Sequence, residues 1–249
     1  MSPMPYKKIL CISIHNMLIE EEKIIFLHMP KTGGTSIESC LKKEFKKNTV
    51  YKRHNTLSQI FFNLKDRDLN KYIIFTVLRN PFDRIVSTYN HSKTNKYIDH
   101  NMIFSEYIGY IIKYFSNDFE ENEYNSNTYM RFNGKTVIDK RHIETLKYWI
   151  DIPNILNFNN LKIKLKSNCL ILTNEKVTIY LLRFKYLNSD FNIFKKNINV
   201  HSKLPHINKN HIPKKYKAKV SDFNKINYNC KKFLEIYSSE FDILENEFC

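Results

Sequence analysis

The chain has 249 residues, 42% of them hydrophobic and 14% aromatic, which suits one large domain, or one domain with a subdomain, with a real core and excludes a disordered chain. Lysine and arginine number 40 against 25 aspartates and glutamates, a net charge of +15 that favours an anionic partner: a nucleotide, nucleic acid, a membrane surface or an acidic polymer. Usage rich in Lys, Asn and Ile and poor in Gly and Ala, as an AT-rich genome produces, accounts for part of that charge, and the five scattered cysteines (Cys11, Cys40, Cys169, Cys230, Cys249) show no C-x-x-C spacing, which excludes a readable zinc site or disulfide framework and suits a reduced compartment.

Residues 1–22 read as an N-terminal extension. Its "ILCISI" is too short for a membrane span and lacks a signal-peptide cleavage region, so a soluble, cytoplasmic protein with no transmembrane segment is expected. "KIIFLH" (23–28) is a short apolar run, predicted as a buried strand. From Thr35 the period changes: Ile37, Cys40, Leu41 and Phe45 share one helical face, with Glu38, Lys42 and Lys43 outside it. Gly33 and Gly34, two of only four glycines, therefore sit at a strand-to-helix turn. A second such unit follows. "KYIIFTVLR" (71–79) is almost continuously apolar, as a strand covered on both faces must be. Asn80 then suits a helix N-cap and Pro81 the first helical position, with Phe82, Ile85, Val86 and Tyr89 as the buried stripe. The N-glycosylation sequon Asn90-His91-Ser92 falls inside that helix.

Residues 102–150 read mostly as helices, with aromatic stripes in "FSEYIGYIIKYF" and "HIETLKYWI". "CLILTN" and "TIYLLRF" read as later strands and "NYNCKKFLEIYSSEFDIL" as a C-terminal helix. The basic, aperiodic stretch 201–216 reads as a loop able to cover a bound cofactor. No repeat or Pro/Gly/Ser linker divides the chain. The expectation is a single domain over 1–249, of α/β class, with a central parallel sheet flanked by helices and a P-loop-like strand–loop–helix phosphate site.

A glycine turn between a buried strand and a helix lets the backbone approach an anion, and the helix N-terminus offers N–H groups and partial positive charge. Glycines alone more often make only a tight turn, but Lys31, Thr32, Thr35 and Ser36 around them favour phosphate. The nucleotide-kinase pattern G-x-x-x-x-G-K-[ST] puts its lysine after the last glycine, whereas Lys31 precedes the pair. A lysine at the strand end would neutralise charge at the end of a phosphate chain, where a bond breaks. Arg79, at the C-terminal end of the second strand, and Ser87, on the helix after it, suit a second phosphate.

"HMPKTGGTS" followed by "RNPFDRIVSTY" resembles sulfotransferase family 2, which includes heparan sulfate 2-O-sulfotransferases and related carbohydrate sulfotransferases. The resemblance is firm over 23–92 and weaker at "RHIETLKYW", "LLRFKYLNSDF" and "LPHINKN". It implies transfer of a sulfuryl group from 3'-phosphoadenosine-5'-phosphosulfate (PAPS) to a hydroxyl acceptor, a glycan by family habit, with no metal. It further implies that Lys31, Thr32, Gly33, Gly34, Thr35 and Ser36 wrap the 5'-phosphosulfate, that Arg79 and Ser87 grip the 3'-phosphate, and that Lys31 stabilises the leaving group. In the family a histidine between the two motifs is the general base. His54, in "YKRHNTLSQI", takes that place, and His142, in "DKRHIETL", is the other candidate. Lys209 in "PHINKN" is a candidate phosphate contact. Lys185 stands where the family carries an acid after Arg-Phe, so the salt bridge made by that acid is expected to be lost. The alternatives are a kinase-like nucleotide-binding protein, a basic nucleic-acid-binding protein, and a degenerate sulfotransferase fold that binds without catalysing. Lysine placement speaks against the first, absence of a binding motif against the second, and intact Lys31, Arg79 and Ser87 against the third.

Overall fold

The computed structural model describes residues 15–45, 49–53, 68–116, 129–132, 135–139, 162–166, 169–173, 177–205, 218–219 and 221–222. Nine strands are found among them: β1 (His15–Ile19), β2 (Ile24–His28), β3 (Thr49–Arg53), β4 (Ile73–Leu78), β5 (Tyr129–Phe132), β6 (Lys135–Asp139), β7 (Lys162–Lys166), β8 (Cys169–Thr173) and β9 (Thr178–Arg183). The helices are α1 (Gly34–Glu44), α2 (Pro81–Thr94), α3 (Phe104–Ser116) and α4 (Leu187–Phe194).

Seven strands form one sheet in the order β3-β1-β2-β4-β9-β8-β7. The expected α/β class is observed, and its parallel part is the centre: β2 pairs with β4 and β4 with β9 in parallel. Both flanks are antiparallel: β1 pairs with β2 and β3, while β8 pairs with β9 and β7. The reason lies in the connections. The parallel pair β2 and β4 is joined by a crossover that contains α1, whereas β1 to β2 and β7 to β8 are short returns that allow only antiparallel pairing. Residues 15–19, within the stretch read as an extension, are thereby a strand of the sheet.

The central strands are apolar on both faces because both are covered. On one face Phe26, Phe75, Val77 and Leu182 pack with Ile37, Cys40 and Leu41 of α1 and Phe191 and Phe194 of α4. On the other, Ile25, Leu27, Ile74, Leu78, Ile179 and Leu181 are buried as well. A second core joins Ile85, Val86 and Tyr89 of α2 to Tyr107, Ile108 and Ile111 of α3 and to Val137 and Ile138 of β6. The expected stripes of α1 and α2 are thus the buried ones. The hairpin β5–β6 lies in a region read as helical. Its signal was local: Phe132 pairs with Lys135 across Asn133-Gly134, the dipeptide that most favours a two-residue hairpin turn. The sequon residue Asn90 is buried, and its side-chain amide exchanges hydrogen bonds with the N–H and C=O of Ala218 at 3.0 and 3.1 Å. Cys40 and Cys169 are buried free thiols. Among the described residues, no helix is long and apolar enough to cross a membrane.

Candidate active site

β2 and β4 run side by side and end at the same edge of the sheet, with Leu27 opposite Thr76. The buried Thr76 hydroxyl donates to the Leu27 carbonyl at 2.8 Å and locks the two strand ends together. Each strand is followed by a turn and then a helix, so the two sequence motifs project from one edge, where ligands of open α/β sheets bind.

The first turn runs from Met29 to Gly33. Thr32 is fully buried and its hydroxyl donates to the Met29 carbonyl at 2.7 Å, closing the turn. That hydroxyl is committed, so Thr32 shapes the loop and has only its backbone to offer a ligand. Lys31 and Gly33 both have left-handed backbones, at φ 65° and 81°. For Gly33 this conformation is free of strain, and a Cβ there would also meet Leu187 Cδ2 at 2.7 Å. Gly34 is required for a different reason: a Cβ would run into the His28 ring. The N-terminus of α1 has no side-chain cap and no acid in its first turn. That of α2 is closed, since Asn80 Oδ1 accepts from the N–H groups of Phe82 and Asp83 at 2.9 and 3.3 Å. Thr35 is exposed on the first turn of α1 and Ser36 is buried.

The two motifs touch. Arg79 Nη1 donates to the Lys31 carbonyl at 2.6 Å. The Arg79 guanidinium also lies over the Phe184 ring, 4.2 Å from its centroid, so the end of β9 forms a third wall. Arg79 Nε is buried with no hydrogen-bond acceptor among the described residues. Burial pushes the Lys31 ammonium down to about 8, and the neighbouring Arg79 charge adds to the effect. Burial likewise lowers Arg79, against a smaller opposing pull from Asp83. Neither cation has a carboxylate within ion-pair distance among the described residues, so the positive charge at this edge suits an anionic ligand. Ser87 is half-buried on α2.

Sequence reading missed several residues here. Arg84, 2% exposed, is pushed down to about 9 by burial and by Arg79. The only available signal was a charged residue set between stripe members Phe82 and Ile85. Phe184 had no signal of its own. Glu38 was placed outside the buried face of α1, yet it pairs with His28: Nδ1 and Oε1 are 2.7 Å apart, with both side chains nearly buried. Arg183 does have an acid partner despite Lys185. Its Nε and Nη2 donate to the two oxygens of the fully buried Asp190 at 2.9 and 2.8 Å, and its backbone N–H donates at 2.9 Å. Asp190 lies beyond Lys185, in the first turn of α4, where a position-by-position comparison does not look.

His54, His142 and Lys209 lie outside the described residues. Of the stretch 201–216, residues 201–205 are described, and they are fastened to α1: Glu44 Oε2 accepts from the Ser202 N–H and hydroxyl at 3.1 and 2.7 Å. Among the described residues no group of histidine, cysteine or carboxylate side chains is arranged to hold a metal ion.

No curated protein and no solved structure matches the chain. A family model described as "Sulfotransferase family" matches residues 15–244, which takes in both motifs, the described sheet and all four described helices. With nearly the whole chain matched, the protein belongs to sulfotransferase family 2 and is a transferase of sulfuryl groups.

Proposed function

We propose that the chain transfers the sulfuryl group of PAPS to a hydroxyl of a carbohydrate acceptor. The observation that carries this reading is the contact of Arg79 with the Lys31 carbonyl at 2.6 Å. It brings two cations, neither ion-paired among the described residues, to one edge of the parallel strands, as a donor with phosphate groups at both ends of its ribose requires. The buried, unsatisfied Arg79 Nε and the uncapped α1 N-terminus also fit an anionic ligand.

PAPS supplies the sulfuryl group and a phosphate that leaves. The chain's part is to hold, orient and neutralise. Gly33, Gly34, Thr35 and Ser36 present the α1 N-terminus to the 5'-phosphosulfate, and Thr32 keeps that turn closed. Arg79 and Ser87 hold the 3'-phosphate, and Lys209 adds a contact. The Lys31 ammonium offsets charge as it develops on the leaving phosphate. His54 takes the acceptor's hydroxyl proton, with His142 as the alternative base. Positioning and electrostatics then supply most of the acceleration, with no metal called for. The glycan acceptor is supported by family membership and by the +15 charge, which suits an anionic sugar polymer.

Calorimetry tests the donor. 3'-Phosphoadenosine-5'-phosphate (PAP), the donor without its sulfuryl group, is expected to bind more tightly than AMP, and Arg79→Ala to remove about 2–5 kcal/mol of that binding. Equal affinity for PAP and AMP would show that Arg79 and Ser87 are not the 3'-phosphate site. An acceptor screen with labelled PAPS tests the glycan.

A further inference from the structure

We propose that His28 and Glu38 form a positioning pair that seats the donor loop on the end of β2; this rests on the donor reading above. His28 is the last residue of β2, and its ring stacks on Phe26, the centroids 5.8 Å apart and the planes at 19°. From there the ring lies beneath Gly34, so close that no Cβ fits between them. Its Nδ1 meets Glu38 Oε1 at 2.7 Å. An ionised carboxylate can only accept, so Nδ1 carries the proton. Gly34 and Glu38 are four residues apart and therefore on one face of α1. One ring thus bridges the first turn of the helix and the turn after it, and fixes both to the strand.

The turn that this clamp closes contains Lys31 in its left-handed conformation, gripped from outside by Arg79. The loop is held at two points: Arg79 on the Lys31 carbonyl and His28 under Gly34. With both in place, the α1 N–H groups and the Lys31 backbone keep a fixed separation, so the lysine side chain always starts from the same point beside the phosphosulfate. The ring faces the helix from beneath the loop, so His28 acts through Gly34 and not on the acceptor. This also gives Gly34 its reason: the residue is small because the ring occupies the place of its side chain.

The test uses the full chain with His28→Ala, the milder His28→Asn, Gly34→Ala, the double variant His28→Ala/Gly34→Ala, and Glu38→Gln. PAP affinity is expected to fall at least about 10-fold in each alanine single variant. The double variant should bind at least about 5-fold more tightly than the product of the two single effects, because the new methyl enters the space the ring leaves. Glu38→Gln can still accept from Nδ1 and should lose less than about 3-fold. The KM for PAPS should rise while the KM for acceptor stays put. Simple loss of folded protein would lower turnover and move neither. Additive single effects, or wild-type PAP affinity in both His28 variants, would overturn the proposal. Amide exchange of residues 29–38 in the ligand-free protein separates the two readings. Faster exchange in His28→Ala, reversed in the double variant, supports the clamp even if the wild-type chain binds no PAP, an outcome that would sink the donor reading alone. Unchanged exchange sinks the clamp whatever binds.

Discussion

Lys31 combines two unfavourable features: a left-handed backbone on a non-glycine residue and a half-buried ammonium beside another cation. Both make sense if the lysine is held for an anion. Donor kcat/KM should then fall as pH rises past about 8, the value to which burial and Arg79 push the ammonium. Arg79→Ala removes one of those causes, so the basic limb of its residual activity should move to higher pH. The folded group loses its proton near 8 and the unfolded one near 10.5, so the unfolded chain binds more protons between them. Stability therefore rises with pH across that window, and the penalty is fully present at neutral pH. Lys31→Met should raise the unfolding free energy of the ligand-free protein at pH 7, by on the order of 1 kcal/mol once solvent screening is allowed for, in a urea titration. A drop would mean that Lys31 is paired in solution. Function runs the other way, since Lys31→Met should lower turnover by at least ~10²-fold through loss of charge at the leaving group. His54→Ala should leave PAP affinity nearly unchanged and lower turnover by ~10²–10⁴-fold. Near-normal turnover would pass the role of base to His142.

Among the elements, the twin strand–turn–helix units were the most legible, because their signals are local. Asn80 and Pro81 announce the start of α2, and the stripes of α1 and α2 are regular enough to give the buried faces. β7 carries the alternating run Lys162-Ile163-Lys164-Leu165-Lys166 and could have been read as an edge strand. β1 and β3 are five residues each and gain their meaning only from pairing with each other and with β2. Contacts between elements were illegible. Arg79 meets Lys31 across 48 positions, and nothing in either motif says which atom of one touches the other. The pair Arg183–Asp190 shows the same limit at shorter range, spanning the turn from β9 to α4. Asp190→Ala would strip three hydrogen bonds from the backbone and guanidinium of Arg183 and remove its buried carboxylate partner. The expected loss is about 3 kcal/mol, read as a fall in urea midpoint with unchanged slope. Because Phe184 and Leu187 belong to the same turn and wall the Gly33 loop, PAP affinity should fall with it. A stable variant would show that this ion pair does not hold the turn.

Across the whole molecule, the +15 charge and the two motif cations act over different ranges. Most of the charge is spread along the chain, where salt screens it beyond about 10 Å at 0.1 M. Lys31 and Arg79 are half-buried at one edge of the sheet, where water and salt screen them far less. A chain built to hold nucleic acid would use the diffuse charge: each neutralised phosphate releases counterions, and six to ten contacts would cost about 10³–10⁵ in affinity between 50 and 200 mM salt. A chain built to hold PAP would use the two half-buried cations, and its affinity should change by less than about 10-fold over that range. Fluorescence anisotropy with a labelled duplex, beside calorimetry with PAP, compares the two at both salt concentrations. The duplex should bind weakly at 50 mM and vanish at 200 mM, without sequence preference and without being displaced efficiently by PAP, since the two anions use different charges. Arg79→Ala should weaken PAP and leave the duplex alone. Tight, sequence-selective duplex binding at 200 mM salt, lost in Arg79→Ala, would place nucleic acid at the edge of β2 and β4 and displace PAPS from it.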